Sequence, residues 1–191
     1  VNSENLTVDP GTKEEYYCYV GRLSPEKGVD LLLNAAAELP DYKLKIIGAG
    51  PLEDRLLSGR ENSNVEFLGY KTGKELRTII SGSKFIIVPS NWFENNPLII
   101  LESLCLGTPV IGSDIGGIPE LIKPGFNGIL FTADNTDELR LKIKSIWEDH
   151  SSFDRSKISA DALNKYSSNR YYQSLINLYG NLLKSKRHKM E

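Results

Sequence analysis

The sequence predicts an α/β domain built around a doubly wound parallel β-sheet. Short runs of apolar, β-favouring residues alternate along the chain with segments whose apolar residues recur at helical spacing. Near-continuous apolar strands are typical of a sheet that helices cover on both faces, and the alternation implies helical crossovers between parallel strands. The length of 191 residues suits one compact domain with a helical appendage.

The first strand and helix show this pattern clearly. Residues 16–21 are β-favouring and end in glycine, and residues 29–37 have a helix-forming composition. The other predicted elements are a strand at 44–47, a helix at 52–57, a strand at 65–68, a helix at 74–81, a strand at 85–88, a helix at 98–106, strands at 109–112 and 129–131, and helices at 136–147 and 168–183. We therefore divide the chain into a polar lead-in segment at 1–15, a sheet-containing domain at 16–166, and a C-terminal helix with a basic tail at 167–191.

Composition excludes several classes of function. The net charge of -2 provides no general basic surface for nucleic acid. The longest apolar runs, at 85–88 and 97–101, are too short to cross a bilayer, and the N-terminus has no signal-peptide pattern. Cys18 and Cys105 have no metal-ligand spacing, so we expect buried free thiols in a reducing compartment. The basic residues at 184–189 form either a solvated tail or a contact with an anionic membrane surface.

The loops that follow the strands carry the candidate binding residues, because ligands of open parallel sheets lie outside the carboxyl ends of the strands. After the first strand, Arg22 and Lys27 stand between Gly21 and Gly28, just before a helix. The forked donors of arginine, the mobile charge of lysine and the helix amides together suit a diphosphate. Two solvated cations without a ligand are the alternative interpretation.

Two glycine-containing loops have a less specific meaning. Gly48 and Gly50, followed by a proline, either let the backbone approach a ligand closely or form a tight turn between strand and helix. This loop lacks the third glycine of a dinucleotide-binding fingerprint. The adjacent glycines at 116–117, before a predicted helical start, allow the same two interpretations.

The most informative segment is 89–103, where Glu94 and Glu102 stand eight positions apart. If a helix begins near Pro97, Glu94 lies in the preceding loop and Glu102 lies on a turn that the neighbouring apolar residues would bury. A buried carboxylate costs free energy unless a partner holds it. Sugar hydroxyls, which donate hydrogen bonds to carboxylates, and a structural Lys or Arg are both candidates for that partner.

The start of this helix is a further candidate for binding an anion. Asn96, Pro97 and Leu98 would lie at a helix N-terminus, where unpaired amides and the helix dipole favour phosphate. We expect no metal ion, because the chain has no Asp-x-Asp pair and its histidines, His150 and His188, are remote from these loops.

Taken together, these segments resemble the C-terminal domain of the family-four glycosyltransferases, which have the GT-B architecture of two facing Rossmann-like domains. The motifs that carry the resemblance are Gly21-Arg22-Leu23 with Glu26-Lys27-Gly28, Gly48-Ala49-Gly50-Pro51, Phe67-Leu68-Gly69-Tyr70, Pro89-Ser90, the pair Glu94 and Glu102, Gly107-Thr108-Pro109-Val110, Gly116-Gly117-Ile118-Pro119-Glu120 and Gly125-Phe126-Asn127-Gly128. They cover residues 16–131, and the helix after Tyr166 is similar to the final helix of the family.

The resemblance implies a nucleotide-diphosphate sugar, with uridine or guanosine as the base, as donor substrate and no other cofactor. Arg22 and Lys27 would bind the diphosphate, Glu94 would contact the sugar and Glu102 would hold the ribose hydroxyls. Backbone around Tyr70 and Lys71 would lie near the base.

For the complete enzyme, the resemblance implies metal-independent transfer, with retention of configuration, to a glycan or lipid-linked acceptor in polysaccharide biosynthesis. We expect a cytoplasmic protein that can contact the inner face of the membrane. The acceptor-binding N-terminal domain of the family is absent from this chain, so we expect the chain alone to bind a donor without transferring its sugar.

One departure from the family pattern concerns the sugar. Many members have Gly-Phe or Gly-Leu after the first glutamate, whereas this chain has Asn95-Asn96-Pro97, which leaves the donor sugar open. Two other functions use a similar pocket. A sugar-nucleotide epimerase would need additional acid and base residues, and a non-catalytic nucleotide-sugar module would have no reason to retain Arg22, Lys27, Glu94 and Glu102 together.

Overall fold

Six parallel strands form one sheet in the computed structural model, which describes residues 15–58 and 63–187. The strands are β1 (Tyr17–Val20), β2 (Leu44–Ile47), β3 (Val65–Gly69), β4 (Ile86–Val88), β5 (Val110–Ser113) and β6 (Gly128–Phe131). Their order across the sheet is β3-β2-β1-β4-β5-β6, and every neighbouring pair is parallel. This order is that of a Rossmann-like doubly wound sheet, so the predicted fold class is confirmed.

Helices connect and cover these strands. They are α1 (Val29–Ala37), α2 (Glu53–Ser58), α3 (Gly73–Gly82), α4 (Leu98–Cys105), α5 (Ile118–Leu121), α6 (Thr136–Glu148), α7 (Arg155–Tyr166) and α8 (Ser168–Arg187). Helix α1 packs against α6, and α4 packs against α7. Because β1 leads to β2 on one side and β4 leads to β5 on the other, right-handed crossovers place α1 and α4 on opposite faces of the sheet.

The central strands are buried because helices cover both of their faces. Ile46, Ile86, Ile87 and Ile111 are fully buried, as the continuous apolar runs predict. Cys18 in β1 and Cys105 in α4 are buried and free, as predicted, and the reducing compartment stays a prediction. Burial raises the pKa of the Cys18 thiol to about 12, because the interior disfavours the thiolate.

Helix α7 is absent from the sequence-based prediction. Asp154 caps its N-terminus by accepting a hydrogen bond from the Lys157 amide, and Ile158 and Ala162 form its buried stripe. Leu163 and Tyr166 are only partly buried against the core, so the fully buried stripe is narrow and the helical period is weak among the polar residues of this segment. The signal that was available is the cap followed by two apolar residues four positions apart.

Arg155, the first residue of α7, ties this helix to the amino-terminal edge of the sheet. Its guanidinium donates to the carbonyl oxygens of Ser81 and Ser83 at 2.5 and 2.9 Å, and to Thr108 Oγ1 at 2.7 Å. Ser81 lies in the last turn of α3 and Ser83 just after that helix, ahead of β4, whereas Thr108 lies just before β5. Arg155 therefore joins α7 to the segments that lead into β4 and β5, at the edge of the sheet where the strands begin.

The described residues include only part of the predicted lead-in segment and of the predicted basic tail. Of the predicted lead-in segment, only Glu15 is described, and it pairs with Lys84 at 2.8 Å. Helix α8 continues to Arg187, four residues past the predicted end, and the last part of the predicted tail lies outside the described residues. None of the described helices combines the length and apolar character needed to cross a membrane.

Candidate functional site

The candidate site is a cleft of about 500 Å³ at the carboxyl ends of β1 and β4. These strands are neighbours at the centre of the sheet, and the chain leaves them in opposite directions, toward β2 and toward β5. Loops that diverge from adjacent parallel strands leave a crevice between them, which is where open α/β sheets bind ligands. The cleft therefore follows directly from the strand order.

Most of the residues predicted from the sequence line this cleft. Those that do are Gly21, Arg22, Lys27, Glu94, Asn96, Pro97, Leu98 and Glu102. The loop after β1 supplies the two cations, whereas the loop after β4 and helix α4 supply the two carboxylates. The fold thus brings both signs of charge to one crevice.

Two hydrogen-bond donors hold the Glu94 carboxylate by the same oxygen. Lys27 Nζ lies 2.5 Å from Glu94 Oε1, and Ser90 Oγ donates to the same oxygen at 2.7 Å. The Glu94 side chain is 17% exposed and that of Lys27 is 33% exposed. The pair is therefore partly shielded from water, and its attraction is stronger than that of a fully exposed ion pair.

These contacts set the ionisation of Glu94. Partial burial alone would raise its pKa, but the hydrogen bonds from Lys27 and Ser90, with the positive charge of Lys27, outweigh burial and the nearby Glu26. The pKa of Glu94 is consequently held below its ordinary value. Glu94 is a carboxylate at neutral pH and can accept hydrogen bonds from a ligand.

The backbone of Glu94 is fixed by the turn before α5. Gly117 donates its backbone N–H to the Glu94 carbonyl oxygen at 2.6 Å. A Cβ atom on Gly117 would lie 2.1 Å from the Asn95 carbonyl oxygen, and one on Gly116 would lie 2.7 Å from that of Glu94. Because they lack side chains, these two glycines let the turn before α5 pack directly against the backbone of residues 94–95 and hold it in place.

Glu102 is placed differently from the prediction. The expectation of a buried carboxylate is wrong, because Glu102 is exposed on α4. The buried face of α4 is formed by its neighbours Ile100, Leu101, Ser103, Leu104 and Cys105. Glu102 lies one helical turn after the exposed Leu98, on the face that lines the cleft, and no ion pair or hydrogen bond engages its carboxylate in the described part of the chain.

Arg22 projects from a backbone that is held in place. The hydroxyl of the buried Tyr19 donates to the Arg22 carbonyl oxygen at 2.7 Å, while the Arg22 side chain is exposed at the cleft. A Cβ atom on Gly21 would lie 2.8 Å from that hydroxyl, so glycine leaves room for it. Arg22 presents forked donors suited to two oxygens of an anion.

Four of the predicted residues lie outside the cleft lining. Gly48 has a φ of 144°, and Cβ atoms on Gly48 and Gly50 would lie 1.9 and 2.4 Å from the carbonyl oxygens of Gly21 and Leu23. Both glycines therefore bring the loops after β1 and β2 together. Tyr70 is 73% exposed, and Lys71 pairs with Glu75 at 2.7 Å in the first turn of α3.

Sequence reasoning did not assign a role to seven residues of the cleft lining, which are Tyr19, Val20, Leu76, Val88, Pro89, Ser90 and Ile99. Ser90 belongs to one of the motifs that carry the family resemblance. Its hydrogen bond to Glu94 joins the end of β4 to the following loop, so no periodic pattern in the sequence predicts it. Leu76 and Ile99 add apolar surface beside the charged groups. Leu76 reaches the cleft from α3, so the segment after Tyr70 and Lys71 does approach the site.

Metal ligands are a separate question. Within residues 15–58 and 63–187, no group of three or more His, Cys, Asp or Glu residues is arranged to hold a metal ion. His150 lies near Lys84, at 3.4 Å from its ammonium, and His188 is outside the described residues. Metal independence stays a prediction.

Comparison with known proteins identifies the family of this chain. A family model described as "Glycosyl transferases group 1" matches residues 7–169. An uncharacterized glycosyltransferase of Methanocaldococcus jannaschii is 29% identical over 175 residues, which cover 87% of this chain and 45% of the relative. The chain thus spans less than half the length of that curated relative.

Two solved structures share the fold. The lipopolysaccharide outer core galactosyltransferase WaaB superimposes with a TM-score of 0.79 at 24% identity, over 97% of this chain and 54% of that protein. Anabaena HepE in complex with UDP superimposes with a TM-score of 0.77 at 23% identity, over 87% of this chain and 48% of that protein. The fold of this chain therefore matches about half the length of each of these two proteins.

Proposed function

Because the chain belongs to the group 1 glycosyl transferase family, we propose that it is the donor-binding half of a retaining glycosyltransferase. The donor is a nucleotide-diphosphate sugar with a uridine or guanosine base. The UDP bound to the structurally similar HepE supports this class of donor.

One observation carries the proposal: Arg22, Lys27, Glu94 and Glu102 line a single crevice at the centre of the sheet. Two cations beside the start of α1 match the two negative charges of a diphosphate. Two carboxylates on the opposite side match the hydroxyl groups of two sugars, the transferred one and the ribose. The cations of the cleft thus suit the diphosphate of the donor, and its carboxylates suit the hydroxyl groups of the two sugars.

Each residue takes a distinct part in binding the donor. Arg22 and Lys27 bind the diphosphate, and the backbone at 96–98 at the start of α4 offers further amide donors. Glu94 contacts the transferred sugar and Glu102 holds the ribose hydroxyls. Glu102 is suited to this because its carboxylate faces the cleft and has no partner among the described residues.

The reaction we propose transfers the sugar to an acceptor hydroxyl with retention of configuration. The bond from the anomeric carbon to the diphosphate breaks, with its electron pair leaving on the phosphate oxygen. The acceptor oxygen then bonds to the same face through an oxocarbenium-like transition state, and its proton passes to the phosphate oxygen that departs. Arg22, Lys27 and the helix N-terminus stabilise the charge that develops on the departing diphosphate, and no metal ion is needed.

The acceptor binds to the other half of the enzyme. The chain alone therefore binds the donor and does not transfer its sugar. The acceptor is a glycan or a lipid-linked glycan in polysaccharide biosynthesis. We place the protein in the cytoplasm, where two free buried thiols are stable, with its basic residues at 184–189 able to contact an anionic membrane surface.

Calorimetric titration of the chain with UDP, GDP and their sugar derivatives, each repeated with a chelator, tests the proposal. We expect one nucleotide to bind with an affinity that the chelator does not change. Lys27→Ala and Glu102→Ala should each weaken that binding about tenfold or more, since each removes a charged hydrogen-bond partner of the ligand.

Matched surface variants serve as controls. Lys144→Ala and Asp137→Ala remove exposed charges from α6, away from the cleft, and should leave the dissociation constant unchanged. Failure of every nucleotide to bind at millimolar concentration would contradict the donor-site proposal. Sugar transfer by the chain alone would contradict the proposal that transfer requires both halves of the enzyme.

A further inference from the structure

The two oxygens of the Glu94 carboxylate have different surroundings. Oε1 accepts hydrogen bonds from both Lys27 and Ser90. Oε2 has no hydrogen-bond partner among the described residues. The carboxylate is thus held at one oxygen, and the other oxygen can accept hydrogen bonds from a ligand.

Ser90 is well placed to hold Oε1. It follows the end of β4 and is only 1% exposed. Its hydroxyl has one hydrogen, and the contact of 2.7 Å with Glu94 Oε1 is much shorter than the 3.3 Å contact with the Glu26 carbonyl oxygen. The hydrogen is therefore directed mainly at Glu94.

The backbone of Ser90 is fixed in turn by β5. Ser113, which is fully buried, donates its hydroxyl to the Ser90 carbonyl oxygen at 2.6 Å. A chain of hydrogen bonds therefore runs from the end of β5, through the end of β4, to the Glu94 carboxylate. Each donor in it is buried and sits on or next to a strand of the sheet.

Lys27 cannot hold Oε1 and a ligand phosphate equally well. A phosphate that binds Lys27 draws the ammonium away from Glu94 or shares it, because both acceptors are anionic and lysine is a flexible point charge. Ser90 is 1% exposed and its hydrogen is directed at Glu94, so an anion in the cleft reaches it less readily than it reaches Lys27, whose side chain is 33% exposed. Ser90 remains the fixed donor to Oε1 while the ligand is bound.

We propose that Ser90 is a positioning residue, which holds Glu94 Oε1 so that Oε2 faces the hydroxyl groups of the donor sugar. This rests on the proposed function, in which Glu94 contacts that sugar. A carboxylate oxygen has two lone pairs, so Oε2 suits two neighbouring hydroxyls of one sugar ring. Loss of Ser90 would affect recognition of the sugar and leave recognition of the diphosphate intact.

The first test measures the Glu94 pKa by NMR titration of its side-chain carboxyl carbon in the wild type, Ser90→Ala and Ser90→Thr. Three titratable groups face Glu94: Lys27, Glu26 and the Tyr19 phenol, which is charged only above its raised pKa. All three are unchanged in these variants. We expect the pKa to rise by about half a unit in the alanine variant and to recover in the threonine variant, because threonine keeps the hydroxyl.

Ser83→Ala is the matched control, since it removes a buried hydroxyl that donates to the Ile80 carbonyl oxygen at the other edge of the sheet. It should leave the Glu94 pKa unchanged. If Ser90→Ala does not fold, Ser90→Cys gives the same comparison, because a thiol of similar size is only a weak donor. A folded variant without the hydroxyl and with the wild-type Glu94 pKa would overturn the proposal.

The second test compares titrations of the same variants with UDP and UDP-glucose, and with GDP and GDP-mannose. Ser90→Ala should weaken binding of the sugar nucleotide that the wild type prefers by about tenfold and leave its parent nucleotide unchanged. An equal loss for both ligands would overturn the positioning role. If no nucleotide binds to the wild type, the proposed function fails, and the NMR titration still decides whether Ser90 holds Glu94.

Discussion

Lys27 and Glu94 are 67 positions apart in the chain, yet their side chains meet at 2.5 Å across the cleft. Their ion pair joins the loop after β1 to the loop after β4, the two loops that form the site. It also gives the cleft an internal anion, which competes with any phosphate for the Lys27 ammonium. Electrostatic competition within the site is thus expected to control affinity.

Removing that internal anion should strengthen the binding of a nucleoside diphosphate. Glu94→Gln leaves Lys27 without its carboxylate, so we expect UDP or GDP, whichever binds, to gain about threefold to tenfold in affinity. The sugar derivative should lose any advantage over its parent nucleotide, because the amide is a weaker acceptor than the carboxylate. Calorimetric titration measures both effects.

The control for this variant is Glu148→Gln. Glu148 pairs with Lys144 at 3.9 Å on the exposed side of α6, away from the cleft. This variant removes a carboxylate from another Lys–Glu pair and should leave both affinities unchanged. Weaker binding of the nucleoside diphosphate by Glu94→Gln would show that Lys27 does not engage the phosphates.

The lowered pKa of Glu94 predicts a contribution to stability that depends on pH. The folded-state pKa is below the ordinary value of about 4.3, so the unfolded chain binds more protons as the pH falls through this range. The contribution is complete above about pH 5 and is lost as the pH falls through the folded-state pKa.

Urea unfolding at pH 6, 5, 4 and 3.5 tests this dependence. The free energy of unfolding should fall more steeply with decreasing pH in the wild type than in Glu94→Gln. Glu15, Glu26, Glu138 and Asp154 also have lowered pKa values, so both proteins should lose stability in acid. Parallel curves for the two proteins would mean that Glu94 makes no such contribution.

Replacing Arg155 should destabilise the fold without changing the cleft. Arg155→Met keeps much of the side-chain packing but leaves the carbonyl oxygens of Ser81 and Ser83 and the Thr108 hydroxyl without their donor. We expect a loss of about 2–4 kcal/mol in the free energy of unfolding. Urea denaturation measures this loss, and calorimetric titration should show an unchanged ligand affinity.

Lys157→Met provides the matched comparison for Arg155. Lys157 belongs to the same helix, its side chain is 76% exposed, and within the described part of the chain it pairs only with the helix-capping Asp154. Its replacement should cost less than about 1 kcal/mol. Similar losses for the two variants would show that the bonds made by Arg155 are not what fastens α7.

Gly117→Ala should move the loop that carries Glu94. The added methyl group would lie 2.1 Å from the Asn95 carbonyl oxygen, so the loop must shift. We expect binding of the sugar nucleotide to weaken at least tenfold, with a loss of about 1–3 kcal/mol in stability. Titration and urea denaturation of the same samples measure the two effects.

Gly180→Ala is the control for adding a methyl group to a glycine. Gly180 lies within α8, and its Cβ would meet no atom within 4 Å. Alanine favours a helix more than glycine does, so this variant should gain about 0.5–1 kcal/mol and keep the wild-type affinity. Wild-type binding of the sugar nucleotide by Gly117→Ala would argue against the clamp on Glu94.

Much of the fold could be predicted because the strands of a covered parallel sheet are short apolar runs. The limits predicted for β2 match the structure, and those for β4 and α4 differ by one residue at one end. Helix α7 escaped prediction because its buried stripe is narrow. Its place depends on Arg155, whose partners lie 47 to 74 positions earlier in the chain.

Most residues of the site could be predicted from the sequence, but their positions relative to one another could be predicted less well. Arg22, Lys27 and Glu94 stand out as charges in loops after strands, which is a local signal. The exposure of Glu102 depends on which face of α4 meets the sheet, and a helix with apolar residues on nearly every side does not reveal that face. The bonds that hold Glu94 connect segments that are distant in sequence or belong to different strands, so residue types alone do not indicate them.

The bonds of Arg155 have a consequence for how this protein can evolve. They fasten the fold at the edge where the strands begin, whereas the cleft lies at the edge where the strands end. Mutations in the loop at 91–96 can therefore accumulate without loosening the joint between α7 and the sheet. A lineage with this architecture can acquire a new substrate preference through a few substitutions at one edge while its folding is maintained from the other.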